Sequence, residues 1–434
     1  MSTTRTQQKR RVGWYWLLAS WGLAEVVFFH RQRARLQESN RRLMYVPDPA
    51  HIARTKQRFL QLRRVINFRA FLSGWFHNAP FEQITRGNVE DFVAYAFYDS
   101  TPANLSDKAR QLTSDFVDAC ERTWGVSFNP GTSQRVSFMA HLWEPLRVMH
   151  KPLVIHLVSE ATGKVVHCYL ARHGFVSHRH KDLPYWIRQP AVPRTAAREQ
   201  PLVFLHGVGF GLALYVQFIR AMLRTFPDRT IIVAEFAHVS LRVATHATAV
   251  DDIADSVQAL LRAHGVADAC ILAHSFGCFV ASRLCQMHPQ VVHSLALLDP
   301  VCMMLCFPQL LHSFIYKPFD FSALTRLSGI VDVARWFCSR DLGIAEAFCR
   351  NFIWHSLMLW PDDLPVRTLL CMGARDDLVP AGLVRAQLAH AGSTAQVLEC
   401  ATGRHGAFLF DMEWQRQILD ASKALFDGDA VSPG

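Results

Sequence analysis

The eleven cysteines form no C-x-x-C pair and no regular framework, and their odd count leaves at least one unpaired. A disulfide scaffold is therefore not expected. Buried free thiols are the expectation, and they favour a reducing compartment around the part of the chain that holds most of them. Acids are scarce at the start: residues 1–64 hold three of them (Glu25, Glu38, Asp48) against 14 lysines and arginines. The glycine-rich run at 207–211 lacks both a Walker lysine and the G-x-G-x-x-G spacing, so it does not read as a nucleotide cradle. There is no internal repeat and no low-complexity block. The basic residues lack a nucleic-acid-binding motif.

The net charge of +10 belongs almost entirely to the N-terminal segment, because the rest of the chain carries 32 basic residues against 33 acids. Within that segment, residues 12–29 carry one charge, Glu25. As a helix of ~1.5 Å per residue they would barely cover a bilayer core. Trp14, Tyr15, Trp16 and Trp21 suit a membrane interface. Lys9-Arg10-Arg11 precede the stretch, and Arg31, Arg33 and Arg35 follow it. No small-residue cleavage site follows, so a signal peptide is disfavoured. Residues 1–35 are expected to form a membrane anchor, spanning or monotopic, with a buried or interfacial helix as the plain alternative. The orientation and the organelle stay open, since an Arg-rich, acid-poor start also fits a mitochondrial address.

Residues 36–150 read as helical. Arg54–Leu72 alternates basic residues with apolar ones at helical spacing, which fits a face on anionic lipid or a solvated face of a packed helix. Asn88–Tyr98 and Ser106–Thr123 read as two further helices. Leu153–His156 and Lys164–Leu170, separated by Glu160-Ala161-Thr162-Gly163, read as a β-hairpin opening a domain over 151–430. Strands expected near 201–205, 230–236, 268–273, 294–299, 366–372 and 395–400 alternate with helical patterns, which implies an α/β fold with a mainly parallel sheet. The pair His178 and His180 has ligand spacing for zinc, but no cysteine or carboxylate stands at metal spacing beside it. No metal and no cofactor is expected.

Four loops carry the chemistry. Ala273-His274-Ser275-Phe276-Gly277 joins an apolar strand to a helical run, the layout of a nucleophile elbow, with Ala273 where the first glycine usually stands. His206-Gly207-Val208-Gly209-Phe210-Gly211 follows another strand and can turn backbone N–H groups into a cleft. Asp376 and Asp377 follow the strand at 366–372, and His405 sits in the loop after 396–400. All four lie at carboxyl ends of expected strands, where open α/β sheets place their sites.

In this order and setting, residues 151–428 resemble the α/β-hydrolase superfamily. The resemblance implies Ser275 as nucleophile, His405 as general base and Asp376 as the acid that orients it. Asp299, at the end of the sixth strand, is the alternative acid. The backbone amides of Val208 and Phe276 would form the oxyanion hole. With its anchor and the run Trp75-Phe76-His77-Asn78-Ala79-Pro80, the whole chain also resembles membrane-associated hydrolases of fungi and protists, a likeness that implies no defined substrate. Residues 301–361 occupy the slot where this family carries a helical cap, and their Phe, Met and Trp content suggests an apolar acyl substrate. The expectation is a membrane-anchored, esterase- or lipase-like serine hydrolase of lipid-like esters or thioesters, on an intracellular membrane and with no nucleic-acid partner. An acyltransferase using the same acyl-enzyme, or a non-catalytic tethered scaffold, is the alternative.

Overall fold

In the computed structural model, residues 2–41, 45–190, 200–322 and 329–428 are described. The side chains of residues 2–13, Lys9-Arg10-Arg11 among them, lie outside the described set, as do residues 191–199 and 429–434. The eight strands β1 (Phe175–His180), β2 (Leu183–Arg188), β3 (Leu202–Leu205), β4 (Ile231–Ala234), β5 (Ala269–His274), β6 (Val292–Leu298), β7 (Thr368–Gly373) and β8 (Gln396–Cys400) make one sheet. Its order is β1-β2-β4-β3-β5-β6-β7-β8. The first two strands run antiparallel, and β4 through β8 are parallel. The parallel core strands are apolar on both faces, which is what a sheet covered on both sides requires.

Alternate strand residues split between two cores. Leu202, Phe204, Ile231, Val233, Cys270 and Leu272 face a layer that includes α6 (Leu153–Arg172), α7 (Val216–Thr225) and α15 (Met412–Asp427). Val203, Leu205, Ile232, Ile271 and Ala273 face the other way, toward α8 (Val250–Ala263) and α9 (Phe276–Met287). That second core is continuous with the N-terminal helices α2 (Pro49–Gln61), α3 (Phe68–Trp75), α4 (Arg86–Tyr98) and α5 (Asp107–Trp124). It also takes in the insertion after β6, built of α10 (Gln309–Leu311), α11 (Gly329–Ser339), α12 (Leu342–Cys349) and α13 (Trp354–Leu357). Helix α14 (Ala381–His390) joins β7 to β8.

Three expectations need correction. Leu153–Arg172 is a helix, not a hairpin: it buries His156, Ser159, Val166 and Leu170, a one-sided pattern that only a helical period aligns. The antiparallel pair lies later, at Phe175–His180 and Leu183–Arg188, so the His178–His180 run belongs to the edge strand. The single helix expected over Arg54–Leu72 is broken: α2 ends at Gln61, a 3₁₀ turn covers Leu62–Arg64, and α3 starts after Asn67, whose side chain caps it.

The third concerns the N-terminus. Helix α1 runs Ser2–Ser39, but among the described residues no helix is long and apolar enough to cross a membrane. Trp, Tyr, Gly and Ser dilute the stretch, and Glu25 is committed to the body. Its carboxylate accepts the Leu153 N–H at 2.9 Å and lies 3.3 Å from His150. Arg35 pairs with Glu346. The second half of α1 is thus docked, while Trp14, Tyr15, Trp16, Leu17 and Leu18, consecutive positions facing all sides, are exposed.

All eleven cysteines are free thiols, and nine are buried.

Candidate active site

Strand β5 is buried throughout and ends in a turn where Ser275 takes φ 52°, ψ −117°. That left-handed conformation is strained for any residue with a Cβ. It holds because everything behind it is tight. A Cβ on Gly277 would lie 2.2 Å from the Leu205 carbonyl oxygen, and one on Gly207 would lie 2.8 Å from Ser275 Cβ. Ala273, in place of the first glycine, is fully buried, in register with Leu205 and Leu297 on the flanking strands.

Ser275 Oγ lies 2.9 Å from His405 Nε2. On its other side, His405 Nδ1 lies 2.8 Å from Asp376 Oδ2. The second Asp376 oxygen accepts the N–H groups of Leu378 and Val379 at 2.7 and 3.0 Å, so the carboxylate cannot rotate away. With Asp376 accepting a hydrogen bond from Nδ1–H, the neutral imidazole presents Nε2 to the serine hydroxyl as an acceptor. Burial alone would push the imidazole's pKa down. The Asp376 carboxylate, aided by Asp299 and Asp377, outweighs that and raises it to about 9.

The alternative acid, Asp299, does a different job. Its Oδ2 accepts the Gly406 N–H at 2.7 Å, which ties down the loop that carries His405. The same oxygen stands 3.4 Å from His274 Nε2, an ion-pair distance without hydrogen-bond alignment. His274 Nδ1 in turn lies 2.6 Å from Tyr215 Oη, which accepts the Gly207 N–H. A buried relay from Asp299 through His274 and Tyr215 to Gly207 therefore braces the histidine loop and the glycine-rich loop together. Tyr215 was missed in the sequence, because nothing local distinguishes it from a core tyrosine. Ligand atoms of His274, Asp299 and His405 lie within 4.8 Å of one another, yet both His405 nitrogens are already engaged by Ser275 and Asp376.

In the glycine-rich loop, Gly207 donates to Tyr215, and the Gly209 N–H donates to Val239 O at 3.0 Å. Between them, the Val208 N–H has no acceptor among the described residues, and neither has that of Phe276 at the start of α9. Next to Ser275 and His405 opens a cavity of about 260 Å³, lined by Val208, Leu214, Leu310, Phe314, Phe348 and Leu409 among others. Phe210 and Phe410, both exposed, stand at its edge. Arg335 of α11 pairs with Asp377, next to Asp376, at 2.5 Å, tying the insertion to the site. Trp354 and Phe352, by contrast, turn away from this cavity. They line a small aromatic void among the N-terminal helices, and Trp354 Nε1 donates to Ala96 O.

Residues 200–317 match the family model described as alpha/beta hydrolase fold. The chain has the α/β-hydrolase fold. No curated protein sequence matches it. Solved structures with similar shape include a membrane phospholipase A described as a bacterial virulence factor (16% identity, 63% of this chain and 93% of that one, TM-score 0.43). A carboxylesterase of the thaumarchaeon Nitrososphaera gargenis matches at 16% identity over 59% of this chain and 100% of that one, TM-score 0.40. A meta-cleavage product hydrolase of Pseudomonas fluorescens IP01 matches at 16% identity over 58% and 97%, TM-score 0.41. The narrower likeness to membrane-associated hydrolases of fungi and protists has no counterpart among these matches. In the α/β-hydrolase fold the loops at the carboxyl edge of the sheet carry the chemistry, and here they carry Ser275, Asp376 and His405.

Proposed function

We propose that the chain is a serine hydrolase that cleaves apolar acyl esters or thioesters. The observation that supports this best is the line Ser275–His405–Asp376, hydrogen-bonded at 2.9 and 2.8 Å and opening onto an apolar cavity. In this reading Ser275 Oγ attacks the acyl carbonyl as His405 Nε2 takes its proton, and the Val208 and Phe276 N–H groups hold the oxyanion. His405 then protonates the leaving alkoxide or thiolate, and water releases the acyl group by the same route. The cavity lies just under the ~300–1,000 Å³ common for ligand pockets, which suits one acyl chain of moderate length.

The exposed apolar stretch of α1 and the exposed Phe210 and Phe410 support work at a lipid surface, with α1 lying on the membrane rather than through it. The direct test is labelling with a fluorophosphonate probe. The wild-type chain should be labelled on Ser275, and Ser275→Ala should not be labelled at all. Undiminished labelling of a folded Ser275→Ala would overturn the assignment.

A further inference from the structure

Where the docked half of α1 meets the body, a second cavity of about 310 Å³ shares no lining residue with the first. Its apolar wall includes Phe29, Leu36 and Met149, and its polar wall is basic: Arg33, Arg35, Lys151 and Arg242 against one carboxylate, Asp341. Two of these cations are already compensated. Arg242 is held by Glu160 and Glu235, and Arg35 by Glu346.

Lys151 has a single loose partner, Asp341, and Arg33 has no carboxylate partner among the described residues. The Lys151 side chain is 1% exposed, and its ammonium makes no hydrogen bond with any described residue. Asp341 Oδ2 stands off at 3.6 Å, and the Phe337 ring lies 4.7 Å away. Asp341 uses its other oxygen to cap α12 through the Gly343 N–H. Arg33, exposed at the mouth, forms no ion pair with a described residue. Arg35 Nε is likewise buried without an acceptor.

A buried ammonium with one carboxylate at 3.6 Å and no hydrogen bond is only partly satisfied. Three cationic donors around one void match the several acceptor oxygens of a tetrahedral oxyanion. We propose that this cavity is a binding site for a phosphate group, with Lys151 as its buried anchor and Arg33 as its gate. The phosphate can belong to a soluble phosphomonoester or to a lipid headgroup. The apolar wall accommodates either a small organic substituent or the start of a glycerolipid.

The test uses the full chain and three probes: inorganic phosphate, glycerol 3-phosphate, and phosphatidic acid vesicles against phosphatidylcholine vesicles. Binding is followed by phosphorus NMR and by the shift in melting temperature. Saturable binding of a soluble probe would identify a soluble ligand, and a Lys151-dependent preference for phosphatidic acid vesicles alone would identify a headgroup. Lys151 is too buried to add to general surface attraction, so its effect separates the site from non-specific adsorption. Lys151→Met should abolish binding. Arg33→Ala, a surface change that leaves folding intact, should weaken binding about tenfold, a loss of about 1.4 kcal/mol. Ser275→Ala should bind as the wild type does, which keeps this result independent of the hydrolase reading. No saturable binding of any probe, or Arg33→Ala binding as tightly as wild type, would overturn the proposal.

Discussion

Two carboxylates lie near one histidine, and their partners separate their roles. Asp376 reaches the imidazole itself, whereas Asp299 reaches the backbone next to it. Asp376→Asn should lower kcat by about 10³–10⁴, because an amide can no longer hold the Nδ1 proton in place or stabilise the imidazolium. Asp299→Asn keeps an oxygen for the Gly406 N–H and should cost less than about tenfold. Steady-state kinetics on both variants decides the matter, and the reverse order would make Asp299 the acid. The raised pKa of His405 has its own consequence. In the proposed reaction His405 acts as neutral imidazole, so kcat/KM should climb about tenfold per pH unit up to about pH 9 and then level off. Asp376→Asn should move that inflection to lower pH. For stability the sign is opposite. A folded-state pKa above the ordinary value favours the folded state fully below about pH 6.5, and that contribution is lost as pH rises through about 9. Ser275, Asp376 and His405 were legible because each follows an apolar strand in a distinctive loop. Tyr215 was not, because its partners His274 and Gly207 come from elsewhere in the chain.

Among elements, the parallel strands could be read from their apolar runs, while Leu153–Arg172 was misread. Its Val and Ile residues favour strands, and Glu160-Ala161-Thr162-Gly163 has the composition of a turn. What makes it a helix is tertiary. Arg242 packs its guanidinium 3.5 Å from where a Cβ of Gly163 would be, and it bonds Glu160 on the same helix. No local pattern contains Arg242. The insertion after β6 shows the same limit, because its aromatics look alike in sequence yet face opposite ways. Phe352 and Trp354 complete an aromatic wall with Phe97 and Phe92, whereas Phe314 and Phe348 line the reaction cavity. Burying one methylene contributes about 0.8 kcal/mol, so a series of p-nitrophenyl esters should show kcat/KM rising several-fold per carbon from acetate until the cavity is full. Phe314→Ala and Phe348→Ala should blunt that slope, while Trp354→Ala should leave it intact and lower the melting temperature instead. Acetate as the best substrate would count against the apolar acyl reading.

At the scale of the whole molecule, the N-terminal helices are not an appendage. Phe59, Phe71 and Trp75 share one continuous core with the insertion and with one face of the sheet, and Trp75 Nε1 donates to Cys306 O at 2.9 Å. Deleting α2–α5 should therefore unfold the insertion rather than leave an active remnant. Helix α1 is different: its described ties to the body, through Glu25 and Arg35, lie in its second half. Trp14, Trp16, Leu17, Leu18 and Leu23 are each at least 64% exposed, more contiguous apolar surface than a chain free in water ordinarily shows. With arginines just beyond residue 29, the arrangement fits an aromatic-rich segment that enters the headgroup region and is drawn to anionic lipid. The full chain should co-sediment with anionic vesicles, with an affinity that falls as salt rises. Trp16→Glu and Leu18→Glu should each weaken binding at least tenfold without changing turnover of a soluble short-chain ester, because neither residue reaches the reaction cavity. Carbonate should strip the protein from membranes, as expected of a helix that lies on the bilayer. Retention after carbonate would mean that α1 leaves its dock on Glu25 and Arg35 and inserts more deeply than its composition favours. Equal binding by the two glutamate variants would move the lipid contact elsewhere on the surface.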